Sequence, residues 1–207
     1  MKSLRVDRIR NYLSPGSPHW APVHPAQIAM APTPLAMQPT AYIRKSWEGR
    51  AYGETRSIEA ASVHDGGMWA VRLSWEGSGP GATDFPDAIA VALPVRNAPV
   101  LTLMGGEDAP IHILRWSANQ QGLRSILATG IGQSAPGPEL KRAAEAVADG
   151  RRWHVVIARA LGTGMNVAPL TAGSTTGIGI ALWRGANEER AGIKAFSIDW
   201  TELALEA

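Results

Sequence analysis

The stretch WRGANEERAGIKAFSIDW, residues 183–200, carries a single lysine, Lys194. It lies between the polar run Asn187, Glu188, Glu189, Arg190 and the strand-like Phe196-Ser197-Ile198. A lone amine where the chain turns inward has a plain structural reading: a stem packed on apolar surface, with its ammonium reaching water. Met104, followed by Gly105 and Gly106, has one too, because methionine fills irregular gaps in cores. Other chemistries find less support. His19, His24, His64, His112 and His154 form no H-E-x-x-H metal spacing, and no G-x-S-x-G elbow presents a serine nucleophile. Glu54, Glu59 and Asp65 read as a solvated loop face. The glycine-rich ALGTGMNVAPLTAGSTTGIG (160–179) lacks the G-K-[ST] of a phosphate loop. It reads as a long hairpin connection whose glycines let backbone close over a ligand. There is no cysteine, which excludes disulfides, thiolate nucleophiles, Cys-based zinc sites, Cys-ligated clusters and covalent c-type haem attachment.

Any of these groups needs a scaffold, and the pattern of the chain is one of strands. At 207 residues, 45% of them hydrophobic and 18% charged, the sequence supports one sizeable, well-buried domain. A formal charge of +2 is no electrostatic footprint for nucleic acid. In GMWAVRLSW, Trp69, Val71, Leu73 and Trp75 share one face. DAIAVALPV puts Ile89, Val91, Leu93 and Val95 on one face and small residues on the other. WHVVIARAL, TGIGIALWRG and AFSIDW complete the set, with Gly, Pro and Asn/Asp clusters between. One helix is expected in GPELKRAAEAVADG (137–150), with Pro138 near its start, Leu140, Ala144 and Val147 at helical spacing, and Gly150 as a stop. The fold class that follows is mainly β: an immunoglobulin-like sandwich with a small helical insert.

Seven prolines, Pro15, Pro18, Pro22, Pro25, Pro32, Pro34 and Pro39, mark residues 1–40 as an extended arm ahead of a domain over 41–207. Apolar residues within the arm predict that it lies on the domain itself or on another chain. No run reaches the length of a membrane span, and the basic N-terminus lacks the apolar stretch of a secretory signal. The eight tryptophans suit a Trp-rich β core or a large flat ligand.

Several segments together resemble a known family. These are Phe85-Pro86 before a strand, LMGGEDAPIHILRWSAN, ATGIGQS, RRWHVVIARAL and IALWRGANEERAGIKAFSIDW. They are similar to the haem b-binding γ subunit of ethylbenzene dehydrogenase-type molybdoenzymes, in the type II dimethyl sulfoxide reductase family. The last segment resembles the family pattern W-x-G-x-x-x-E-R-x-G-x-K-S. Leu114 and Ala195 depart from the pattern, where Trp and Ser are usual.

The resemblance implies a carbohydrate-binding-module-like sandwich holding a non-covalent haem b between Met104 and Lys194 as axial iron ligands. An amine ligates iron only when deprotonated, whereas free lysine has a pKa of roughly 10.4, so an apolar pocket suits the role. Trp116, Trp183 and Phe196 are candidate walls for the porphyrin, and Arg190 is a candidate for a propionate. The implied function is electron transfer in a heterotrimer. A molybdopterin α subunit acts on substrate, an iron–sulfur β subunit relays electrons, and this chain exchanges them with a soluble carrier. The arm is the candidate contact with the β subunit. Periplasmic location would follow from co-export with a twin-arginine-tagged partner, with a cytoplasmic location as the alternative. A carbohydrate-binding sandwich with exposed tryptophans and a structural scaffold subunit without haem are the competing readings.

Overall fold

The structure is a computed structural model, which describes residues 1–77, 85–119 and 122–207. In chain order the strands are β1 (Lys2–Arg5), β2 (Ala26–Ala29), β3 (Ala31–Pro32), β4 (Ser57–His64), β5 (Met68–Glu76), β6 (Ala88–Pro94), β7 (Ile111–Ser117) and β8 (Arg124–Gly130). They continue with β9 (Gln133–Pro136), β10 (Arg142–Ala148), β11 (Arg152–Ala160), β12 (Gly162–Gly164), β13 (Val167–Leu170), β14 (Thr175–Trp183), β15 (Ala195–Phe196) and β16 (Thr201–Leu205). A helix, α1, spans Ala41–Trp47.

The main path of the sheet runs β10-β11-β5-β4-β1-β16-β14-β6-β7-β8-β9. Strand β14 joins two layers, because Thr175–Ile178 pair with β16 while Gly179–Trp183 pair with β6. The large alternating residues meet between the layers. Trp69, Val71, Leu73 and Trp75 of β5 and Val155 and Ile157 of β11 pack in one cluster with Ile89, Val91 and Leu93 of β6. The mainly β sandwich expected from alternation is the observed architecture.

Two expectations are corrected by the tertiary structure. Residues 142–148, read as part of a helix, are β10, an edge strand paired antiparallel along its length with β11. Ala144, Ala146 and Ala148 pack on the interior while Glu145 is exposed, a period of two that an alanine-rich segment adopts when a neighbouring strand offers its hydrogen bonds. The described α-helix is α1, whose N-terminus is capped by Thr40 Oγ1 accepting from the Ile43 amide at 3.2 Å.

The proline-rich arm is no separate unit either. Strand β1 lies inside the sheet, parallel to both β16 and β4. Ile9, Trp20 and Val23 then bury themselves against Val63, Ala70 and Val156 on the outer face of the first layer. Further on, β3 pairs with β15, which brings residues 31–39 to the far end of the chain.

Candidate functional site

The outer face of the second layer is where the small residues point. Interior positions of β6 take Ile89, Val91 and Leu93, so Ala88, Ala90 and Ala92 face outward. With Ala128 of β8 and Ala181 of β14 they form a shallow floor, flanked by Ile113 and Ile126. Two loops, residues 95–110 and 184–194, rise over this floor and enclose an apolar cavity.

Met104 stands on the first loop. A turn of 3₁₀ helix over Leu101–Leu103 ends at Met104 in the left-handed region, φ 59° and ψ 31°. Gly105 follows at φ 89°, and a Cβ there would lie 2.8 Å from the Ala128 carbonyl oxygen. Only glycine allows that turn to sit directly on the floor. Leu101 is seated by Gly179, where a Cβ would come within 2.9 Å of its methyl carbons.

Lys194 stands on the second loop, which is held from three sides. The buried Glu189 carboxylate accepts from the amides of Gly53 (2.8 Å) and Arg184 (3.0 Å) and from Asn187 Nδ2 (3.1 Å). The Thr33 amide donates to the Lys194 carbonyl at 3.0 Å. Thr33 Oγ1 and Gln38 Nε2 both donate to the Gly192 carbonyl, the latter at 3.0 Å. The segment expected as an arm is therefore a strap on the lysine loop.

The lysine is withdrawn from the surface. Lys194 is 8% exposed, and burial pushes its pKa down from 10.5 to about 8. Its neighbours are the Ala191 carbonyl at 3.4 Å and the Trp183 ring at 5.5 Å, and among the described residues no carboxylate pairs with it. The snorkelling reading fails here, since the ammonium would sit in an apolar space.

The cavity has two lobes of about 260 and 310 Å³. Both are lined by Leu101, Met104, Gly132, Ala191, Lys194 and Phe196, so the thioether residue and the amine residue share the waist between them. Chemically, the arrangement offers a soft sulfur donor and a readily deprotonated nitrogen donor in an apolar, flat-floored space.

Of the remaining predicted residues, Trp183 and Phe196 line the cavity. Trp116 does not. It leaves β7 on the face opposite Ile113 and Arg115 and packs edge-on against Trp153 in the interior, with centroids 5.2 Å apart. Arg190 also lies outside the lining; it stacks over Phe85 at 4.4 Å and donates to the Glu188 carbonyl at 3.1 Å. Arg115, Thr33 and Gln38 were missed by sequence reasoning. Alternation along IHILRW could have shown that Arg115 faces away from Trp116, whereas no local signal links Thr33 or Gln38 to Lys194. His112 is structural: it is buried, hydrogen-bonded through Nε2 to Ser125 at 3.0 Å, and pushed down to about 4 by burial and then by Arg159 and Arg142. Among the described residues no group of three or more His, Asp or Glu is placed to hold a metal ion.

No family model matches the chain. It is 35% identical over 157 residues to the chlorate reductase γ subunit of Ideonella dechloratans, covering 72% of this chain and 65% of that protein. It is 28% identical over 155 residues to a protein of Haloferax mediterranei assigned as a respiratory nitrate reductase haem subunit, covering 71% of this chain and 54% of that one. The chain thus spans between half and two thirds of the length of these relatives. Among solved structures it resembles a Bacteroides uniformis protein assigned to carbohydrate binding, with TM-score 0.57, 8% identity, and 100% and 98% of the two chains covered. A family 9 carbohydrate-binding module of Caldicellulosiruptor kristjanssonii in complex with cellotriose follows at TM-score 0.50 and 12% identity, covering 100% and 93%. These likenesses establish the fold.

Proposed function

We propose that the cavity holds a non-covalent haem b, with the Met104 thioether and the neutral Lys194 amine as axial iron ligands, and that the chain is an electron-transfer subunit of a molybdenum and iron–sulfur oxidoreductase. The observation that carries this reading is the shared waist: two lobes of similar volume extend to either side of the Met104 and Lys194 positions. A disc whose centre accepts two donors fits such a space. The alanine floor admits a flat ring, and among the described residues the buried amine has no acid partner.

When bound, the haem supplies a one-electron couple whose potential a thioether ligand raises. Burial of Lys194 lowers the proton affinity that a metal must otherwise displace. Met104 and Lys194 would hold the group and leave no position for water or substrate, so this chain's part would be conduction rather than bond chemistry. Similarity to subunits of chlorate and nitrate reductases supports the same role.

The finer assignment follows the ethylbenzene dehydrogenase-type γ subunit. Molybdopterin and iron–sulfur clusters reside in α and β partner subunits, since this chain has no cysteine to ligate clusters. A soluble carrier exchanges electrons with the complex, which is placed in the periplasm by co-export with a twin-arginine-tagged partner. Among the described residues no helix is long and apolar enough to cross a membrane. The outer side of the proline-rich segment is assigned to the β subunit. Against the sugar-binding reading, seven of the eight tryptophans are buried and Trp200 is half-buried, which leaves none exposed as a stacking platform.

A visible spectrum of the purified chain tests the proposal. A reducible b-type band with a six-coordinate low-spin signature is expected. Met104→Ala and Lys194→Ala should each give a five-coordinate or haem-free product, and an unchanged spectrum in either would remove that residue as a ligand.

A further inference from the structure

The two lobes differ in one respect that bears on how a ligand enters them. The lobe beside the strap is lined by Pro34, Met37, Pro39 and Ile131, and Lys194 at the waist is its one charged residue. The other lobe contains Arg115 as well, at the end of the β7–β8 ladder away from Gln133 and Ser134.

Arg115 projects from β7 beside Ile113, and its guanidinium lies 5.2 Å from the Trp183 ring centre. It is half-buried, and among the described residues no carboxylate is paired with it. Its partner across the β7–β8 ladder is another arginine, Arg124. Two guanidiniums side by side, one of them turned into an apolar cavity, repel each other and lose hydration, an unfavourable arrangement until an anion joins them. A guanidinium offers carboxylate a forked pair of donors.

We infer that the Arg115 end of the cavity is a carboxylate subsite, and that it sets which edge of a planar dicarboxylate ligand enters first. The inference rests on the haem reading and deepens it. The propionate edge lies in the Arg115 lobe, and the apolar edge lies under the strap beside Met37 and Ile131. It replaces Arg190, whose guanidinium is committed to Phe85 and the Glu188 carbonyl outside the cavity.

The test uses the full chain, stripped of haem and reconstituted with protohaem or with its dimethyl ester, which removes both carboxylate charges while keeping the ring. The wild type should bind the diacid at least about tenfold more tightly than the diester. Arg115→Gln should abolish most of that preference while retaining the low-spin spectrum, and Arg190→Ala should leave the preference intact. Equal binding of acid and ester by a low-spin wild type overturns the Arg115 subsite and leaves Met104 and Lys194 standing as ligands. So does an undiminished preference in Arg115→Gln. Absence of a haem band with either porphyrin overturns both readings together. The wild-type comparison needs no variant, so poor folding of Arg115→Gln does not rescue the idea.

Discussion

The amide of Thr33 donates to the carbonyl of Lys194 at 3.0 Å, joining residues 161 positions apart. Through this bond the early proline-rich segment decides where the late lysine stands. Prolines 32 and 34 flank Thr33 and limit its backbone freedom, so the strap is pre-set before it pairs. Gln38 completes the clamp on Gly192 from a site 4% exposed.

Removing the clamp should loosen the ligand more than the fold. Gln38→Ala deletes the 3.0 Å bond to the Gly192 carbonyl, which keeps Thr33 Oγ1 as a donor, and should cost about 0.5–1.5 kcal/mol. Thermal unfolding should fall by roughly 1–6 °C. The spectrum should become a mixture of six- and five-coordinate haem, and a wholly low-spin product would show that Lys194 needs no such brace.

Gly105→Ala should be more harmful than its size suggests. The new Cβ meets the Ala128 carbonyl at 2.8 Å and the backbone is held at φ 89°, so strain of about 1–3 kcal/mol adds to a displaced Met104 loop. Denaturant unfolding and haem content measured on the same preparation should both drop. Gly106→Ala, where nothing lies within 4 Å of the added Cβ, is the matched control and should behave as wild type.

Lys194 makes the haem-free chain sensitive to alkali in a definite sense. Its folded pKa of about 8 lies below the ordinary 10.5, so between these values the unfolded chain holds a proton that the folded chain does not. Stability therefore rises with pH across that window, and the penalty of a buried ammonium, roughly 3 kcal/mol, is fully present below about pH 8. Lys194→Met should raise stability at pH 7 and flatten the rise between pH 8 and 10.5 in urea unfolding. A flat wild-type profile would mean the amine finds water.

Trp116 and Trp183 should separate core from site. Trp116→Ala empties a packed interior position against Trp153 and should cost about 3–5 kcal/mol, with haem content per folded molecule unchanged. Trp183→Phe keeps most of the apolar contact but loses the Nε1 donation to the Ala191 carbonyl at 3.0 Å, beside Lys194. It should shift the haem spectrum at little cost in stability. The opposite pattern would place the pocket on the inner face of β7.

Much of the architecture could be read along the chain, because a strand's two faces alternate residue by residue. Ile89, Val91 and Leu93 against Ala88, Ala90 and Ala92 already separate interior from floor. The same local logic failed at Ala144, Ala146 and Ala148, since alanine suits both a helix and an edge strand. There the choice belonged to β11, which supplies the hydrogen bonds.

Residue types alone established a sandwich-forming β pattern and the absence of any thiol chemistry; the family resemblance singled out Met104 and Lys194. Folding decided the rest. That Met104 and Lys194 border one cavity, that Arg115 rather than Arg190 faces it, and that residues 31–39 strap it all depend on contacts between segments far apart in sequence. Such contacts leave no periodic trace, because their geometry comes from two layers packing and from loops closing over the outer face of one of them.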